Sequence, residues 1–262
     1  MTSKTEPRLL CYDLGEGVTA FSTTRHGGVS EANYASFNIN PYCGDSADHV
    51  ARNRQLLADR LGLPASHIVL PHQVHGIEHR AVAPELLDMS DAVRDKILDG
   101  VDMVTTSMTG VCIGVSTADC IPVLLYDPVA RATAAIHAGW RGTLQRICQR
   151  AVMAMQLHYG TTPDRLRAVV GPGISLANFE VGQEVYDQFV QAGFDLTETA
   201  EWHTKWHLDL PGINIRELIG CGVAPEHIHH ADICTFDHAD DYFSARRLGI
   251  DSGRIYTGIL MR

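Results

Sequence analysis

Residues 111–138 read VCIGVSTADC IPVLLYDPVA RATAAIHA. Three strand-like runs stand in this stretch, at 111–117, 121–126 and 131–136, each short, apolar and rich in β-formers. Asp127-Pro128-Val129-Ala130 joins the last two, and Pro at the second position suits a type I turn. A hairpin centred on that turn predicts facing residues whose numbers sum to about 257, which sets Cys120 opposite His137 with Cβ atoms about 5 Å apart on one face. A slip of one residue would send the two side chains to opposite faces.

The pattern outward from this stretch is mixed. Residues 17–24 alternate like a strand and run into Arg25-His26-Gly27-Gly28, a turn. Residues 46–63 form an amphipathic helix with Ser46 as its cap and Gly62 as its stop. Strands are expected at 68–75 and 101–106. Beyond Gly142 a helix is expected over 143–159, then a strand at 166–170 and helices at 182–192 and 212–221. Strands near 228–233, 242–246 and 254–260 complete the chain. Strands outnumber helices and several are consecutive, so the expectation is a mixed, layered α/β fold rather than a strict βαβ alternation.

The chain has 262 residues, with 21 Lys+Arg against 31 Asp+Glu and a formal net charge of −10. Such a balance argues against a surface that grips nucleic acid or anionic lipid. No repeat or linker divides the chain, so residues 1–262 are expected to form one domain. No apolar run is long enough to span a bilayer, and the N-terminus has no signal-peptide core. Seven cysteines, an odd number with no C-x-x-C pair, favour reduced thiols and a cytoplasmic setting over a disulfide framework.

Cys120 follows Thr117-Ala118-Asp119, His137 opens His137-Ala138-Gly139-Trp140-Arg141-Gly142, and His75 closes Gln73-Val74-His75. All three are expected at strand ends. Two imidazoles and a thiolate match a catalytic zinc site with one open position, and leave a net charge that polarises a bound water. Taken singly, a cysteine in an apolar run is ordinarily core, and His203 and His207 look peripheral.

The motifs together resemble one family. They run from Ser22-Thr23-Thr24-Arg25-His26-Gly27-Gly28-Val29-Ser30 and Tyr34-Ala35-Ser36-Phe37-Asn38 through Gly44-Asp45 with Asn53-Arg54. Next come Gln73-Val74-His75-Gly76, Thr117-Ala118-Asp119-Cys120-Ile121-Pro122 and the His137–Gly142 motif. Gly171-Pro172-Gly173-Ile174, Phe179-Glu180-Val181-Gly182, Cys234-Thr235 and Phe243-Ser244-Ala245-Arg246-Arg247 follow. In this order they resemble the laccase-domain proteins, also described as multicopper polyphenol-oxidase-like, peptidoglycan editing factor or purine nucleoside phosphorylase proteins. The resemblance implies metal ligation by His75, Cys120 and His137, with zinc the usual metal. It implies a layered α/β fold with a β-sandwich-like core, related to cysteine-dependent toxin deamidases. It also implies phosphorolysis of adenosine, inosine, guanosine and methylthioadenosine, and deamination of adenosine. Where the family often has Ala-Asp-Ala, this chain has Val101-Asp102-Met103, so Asp102 alone is kept.

Phosphorolysis needs donors for a phosphate dianion. Arg141 is a candidate because it lies at an expected helix start, where backbone N–H groups also favour an anion. Arg25 and one of Arg246 and Arg247 are the others. Deamination needs a carboxylate that is not a ligand, for which Glu180 comes first and Asp119 next. A metal-free hydrolase with Cys120 as nucleophile and His137 as base fits the same residues, and a peptidoglycan-precursor hydrolase fits the resemblance. Copper fits a His₂Cys set, but a multicopper oxidase needs paired H-x-H motifs, and only His227-Ile228-His229 has that form. A nonenzymatic binding module would not require Gly, Arg, Asp and His gathered at strand ends. The expected partners are a purine nucleoside and phosphate.

Overall fold

The computed structural model describes residues 6–262. Its strands are β1 (Leu9–Tyr12), β2 (Val18–Thr23), β3 (Ile68–Val69), β4 (Glu78–Ala81), β5 (Val101–Thr106), β6 (Cys112–Thr117) and β7 (Ile121–Asp127). They continue with β8 (Ala132–Ala138), β9 (Arg167–Val170), β10 (Glu180–Val181), β11 (Ala200–Trp202), β12 (Trp206–Leu208), β13 (Ile228–His230) and β14 (Ile255–Met261). The α-helices are α1 (Ala47–Leu61), α2 (Pro84–Asp88), α3 (Asp91–Ile97), α4 (Trp140–Leu144), α5 (Ile147–Tyr159), α6 (Gln183–Gln191), α7 (Leu210–Gly220) and α8 (Ala245–Leu248).

Two large sheets carry the fold. One has five strands in the order β1-β2-β14-β6-β3, the other six in the order β13-β9-β7-β8-β5-β4, and β10-β12-β11 form a small third sheet. Side-chain alternation decides how the layers stack. In β8, Ala134, Ile136 and Ala138 face a core shared with Ile147, Ala151 and Met155 of α5 and Ile213 of α7. Ala135 faces the other way and packs with Leu124 and Val169 against Ile113, Val115 and Ile259 of the five-stranded sheet. The outer face of that sheet, with Phe21, Tyr256 and Leu260, is covered by Leu57, Ala58 and Leu61 of α1. The order is therefore helices, six-stranded sheet, five-stranded sheet, helix: a mixed α/β fold around a two-sheet sandwich. Strands buried on both faces explain why 111–138 reads as nearly continuous apolar sequence.

Several local expectations are corrected. The hairpin pairs Asp127 with Ala132 and Pro122 with His137, so facing residues sum to 259 and Cys120 falls opposite Gly139 rather than His137. The loop is longer than a two-residue turn because Asp127 Oδ1 accepts from Val129 N and Ala130 N at 2.8 and 3.0 Å, and Arg131 takes a left-handed conformation. The displacement is two residues, so face parity is kept. The strand expected at 68–75 stops at Val69, and 70–76 form a loop. The helix expected over 143–159 breaks at Arg146, whose φ of 60° separates α4 from α5. Residues 242–246 form no strand. Tyr242 and Phe243 are buried in a loop, and the Ser244 hydroxyl caps α8 by accepting from Arg247 N. His203 lies in the turn between β11 and β12, and His207 lies within β12. Among the described residues no helix is long and apolar enough to cross a membrane.

Gly114 of β6 lies opposite Gly258 of β14, and the fully buried Tyr256 ring occupies the space a side chain on either would need. Gly114→Ala forces that ring aside in a filled core. The expected loss is about 1–3 kcal/mol, read as a lower midpoint in urea or thermal denaturation. An unchanged midpoint would show that Tyr256 is free to move.

Candidate functional site

The site lies at one end of the space between the two sheets. Asp102 of β5 and His137 of β8 continue the inter-sheet rows that hold Val104 and Ala135. The β5–β8 ladder pairs Val104 with Ala135 and Met103 with Ile136, and its register continues to Asp102 opposite His137. Asp102 is fully buried, and a carboxylate there must be hydrogen-bonded. His137 Nδ1 donates to Asp102 Oδ1 at 2.7 Å. His75 N donates to the same oxygen at 3.0 Å, while Gly76 N and Val74 N donate to Oδ2 at 2.7 and 3.2 Å. An ionised carboxylate only accepts, so His137 Nδ1 carries a proton and Nε2 is the nitrogen left for the site. The same carboxylate shapes the turn that carries His75, which sits at φ 62°. Gln73 holds the other end of that turn, donating to Ser116 O and accepting from Ser116 N, both at 2.8 Å.

Cys120 enters from the loop between β6 and β7. Its thiol and the two imidazoles offer ligand atoms that all lie within 4.8 Å of one another. His75 is exposed, Cys120 half-buried and His137 buried, so the group opens on one side. Closing the three onto one ion at bonds of about 2.0–2.3 Å needs side-chain shifts of less than about 1 Å. The donor set, two imidazoles and a thiol prone to ionise, fits a borderline-soft divalent metal. Among the described residues no other group of three or more His, Cys, Asp or Glu side chains converges in this way.

Electrostatics favours the charged forms. Burial alone would raise the Cys120 thiol, but the His137 imidazolium and hydrogen bonds from both histidines bring it down to about 6. Burial likewise works against charge on His137, and the Cys120 thiolate and the Asp102 carboxylate override it and raise its pKa. Burial opposes ionisation of Asp102 too, and the His137 contact with the Gly76 and Val74 N–H groups holds it below the usual carboxylate range.

The three side chains open onto a cleft of about 520 Å³. Of the other residues singled out in the sequence, Asp119 and Arg246 line it. Asp119 is fully engaged: Oδ1 accepts from Thr235 Oγ1 and Oδ2 from Arg246 N, both at 2.7 Å. Arg246 gives two N–H groups to the carbonyls of Asn178 and Glu180 and lies over the Phe179 ring. Glu180 is not brought to the cleft, because its carboxylate pairs with Lys205 Nζ at 2.7 Å. Arg25 is not there either: it binds the carbonyls of Ala35 and Ala239 at 2.8 and 2.7 Å and covers Phe243. Arg141 is exposed and lies over the Trp140 ring at 4.4 Å, and Arg247 binds Phe236 O at 3.2 Å.

Arg254, Tyr42 and His72 are among the cleft residues that went unread in the sequence. The role of Asp102 also went unread, although its signal was available. A carboxylate inside the apolar run Val101-Asp102-Met103-Val104 must be buried and must find donors.

A sequence profile described as "Multi-copper polyphenol oxidoreductase laccase" matches residues 19–262. A protein of Bacteroides thetaiotaomicron named "Purine nucleoside phosphorylase" is 44% identical over 247 residues, covering 93% of this chain and 92% of its own. "Adenosine deaminase RL5" from an unknown prokaryotic organism is 40% identical, covering 93% of this chain and 94% of its own. The crystal structure of Bacillus licheniformis hypothetical protein YfiH superposes with a TM-score of 0.91 at 28% identity, over 98% of this chain and 97% of that one.

Two outcomes follow from this geometry. Asp102→Asn replaces one of the acceptor oxygens with an amide donor facing N–H groups, so zinc affinity measured by chelator competition should fall about 10–100-fold. An unchanged affinity would remove Asp102 from the account. In protein stripped of metal, alkylation of Cys120 by iodoacetamide should rise with pH with a midpoint near 6, because the depressed pKa populates the thiolate above that value. His137→Ala should move the midpoint upward, and a midpoint near that of a free thiol in the parent protein would contradict the ion pair.

Proposed function

We propose, from the premise that this chain belongs to the family described as multi-copper polyphenol oxidoreductase laccase, that it is a metal-dependent enzyme of purine nucleosides. Its reactions in this proposal are phosphorolysis of adenosine, inosine, guanosine and methylthioadenosine, and deamination of adenosine. The observation that carries the proposal is the convergence of His75, Cys120 and His137 at the floor of a cleft large enough for a nucleoside. The names of the relatives from Bacteroides thetaiotaomicron and the unknown prokaryote support the substrate class.

His75, Cys120 and His137 would hold one divalent ion, zinc in this proposal, which supplies Lewis acidity when bound. Asp102 accepts from His137 Nδ1, so that Nε2 is the nitrogen turned to the ion, and holds His75 through its backbone. Arg246 and Arg254 line the cleft with their guanidinium groups held by backbone carbonyls, Asn178 and Glu180 for the first and Ile250, Ser252 and Gly253 for the second, and their positive charge would offset that of a phosphate dianion at long range. In phosphorolysis the N-glycosidic bond breaks, a phosphate oxygen bonds to the sugar carbon, and the base leaves with the bond's electron pair and takes up a proton. Glu180 and Asp119 are not assigned as the proton shuttle, since their carboxylates are held elsewhere. The whole chain works as one domain in this proposal. A cytoplasmic setting belongs to it as well, because all seven cysteines are free.

The copper-oxidase alternative gains nothing from the side chains. His227 and His229 do not join a metal-binding group among the described residues, and the His229 ring lies against Tyr12. A metal-free reading has one observation in its favour: Cys120, His137 and Asp102 stand in the order of nucleophile, base and orienting carboxylate. That order would also suit a kinship with cysteine-dependent toxin deamidases, which belongs to this proposal.

The purified protein and Cys120→Ala are compared on adenosine with phosphate, following adenine, ribose 1-phosphate and inosine. Cys120→Ala should lose both activities, at least about 10³-fold, while staying folded. Turnover by the variant at the parental rate would show that the group is not catalytic. Parental turnover that survives chelation but not iodoacetamide would favour the metal-free reading. If the parent makes no product from nucleosides, oxidation of phenols with added copper points to the oxidase, and silence there too brings the peptidoglycan-precursor hydrolase forward.

A further inference from the structure

One wall of the cleft presents an aromatic surface that the chemistry described so far leaves unused. Tyr42 is 40% exposed although it lies in a concave site, and its ring is stacked on His72 with centroids 4.3 Å apart and planes inclined by 30°. Both rings line the same cleft as His75, Cys120 and His137. Neither is loosely placed. His72 Nδ1 is bound to Asp99 Oδ1 at 2.7 Å, His72 N donates to Leu98 O at 3.0 Å, and Gly100 N donates to His72 O at 2.9 Å. Tyr42 N donates to Asn40 Oδ1 at 2.6 Å. The amide of Asn40 then reaches Ser116 Oγ at 2.6 Å, and Ser116 is the residue gripped by Gln73. The stacked pair is thus tied on one side to the turn that presents His75, and His72 lies three residues from His75 in the chain.

A rigid, part-exposed aromatic face beside a reaction centre costs apolar hydration unless a flat ligand covers it. We propose that Tyr42, backed by His72, is the platform on which the purine ring of the substrate stacks, and that it selects for the base and not for the sugar or phosphate. This rests on the nucleoside reading above. His72 acts as a positioning residue, because its imidazole, fixed by Asp99, sets the plane of the tyrosine. Stacking is sequence-tolerant, since every purine offers a π face. One platform therefore serves adenine, hypoxanthine and guanine alike.

The reverse reaction separates base from sugar. With hypoxanthine and ribose 1-phosphate as substrates, Tyr42→Ala should raise KM for hypoxanthine about tenfold, within the range found for loss of one aromatic–base stack. KM for ribose 1-phosphate should shift less than about twofold, and kcat less than about threefold. Tyr42→Phe keeps the ring and should restore the KM for hypoxanthine. His72→Ala should raise that KM by a smaller factor, and His72→Phe should recover it. Thermal midpoints show whether each variant is folded. A Tyr42→Ala enzyme whose KM for hypoxanthine stays within twofold of the parent, with the parent active, overturns the platform and leaves the nucleoside reading standing. A Tyr42→Phe enzyme as impaired as Tyr42→Ala overturns it too, since the hydroxyl and not the ring would then matter. A parent inactive in both directions and in deamination of adenosine sinks the nucleoside reading and the platform with it.

Discussion

The structure of the site depends on one buried carboxylate. Asp102 has no access to solvent, and a buried charge left without partners costs several kcal/mol. It is made tolerable by four donors, three from the backbone of residues 74–76 and one from the His137 ring. Those donors cannot be satisfied unless the 70–76 loop folds over the end of the six-stranded sheet. The same contacts bring the two imidazoles to face each other edge to face, with centroids 4.8 Å apart. One electrostatic requirement therefore places two of the three side chains and fixes a proton on Nδ1 of one.

The third side chain arrives by a different constraint. Cys120 falls opposite Gly139 in the β7–β8 register, and a Cβ on Gly139 would lie 2.9 Å from the His75 ring and 3.1 Å from Cys120 Sγ. A residue without a side chain is needed there because the thiol and His75 already fill the volume. The sandwich contributes by ending. Inter-sheet rows that are apolar at Val115, Ala135 and Val104 become polar at Thr117, His137 and Asp102, and the cleft opens where the rows change character. Stability and chemistry are thus divided along the same strands.

Much of this was legible in the chain. The strand runs at 101–106, 111–117 and 121–126 were plain because strands buried on both faces have no reason to alternate. The pairing of the Cys120 and His137 strands was legible too, although the arithmetic missed by two residues. Asp127 draws two backbone N–H groups into a longer loop, and only the preserved parity kept both side chains on the same side. Arg141 and Arg25 were misplaced for a shared reason. A glycine-flanked arginine suggests an anion site, but guanidinium groups also cap carbonyls and cover aromatic rings, and sequence does not say which neighbours will supply them. Glu180 went the same way, drawn to Lys205 across the small third sheet, whose pairing no local pattern announces. Tyr42, His72 and Arg254 come to the cleft from segments far apart in the chain, by long-range packing that one sequence does not display.

The central claim is that Asp102 organises His75, Cys120 and His137 into a single metal centre. The most direct test is metal content by mass spectrometry together with X-ray absorption at the metal edge on the purified protein. The account predicts about one zinc per chain with two nitrogen ligands from imidazole and one sulfur ligand. A protein with several copper ions per chain, or with a bound metal that has no sulfur neighbour, would contradict it.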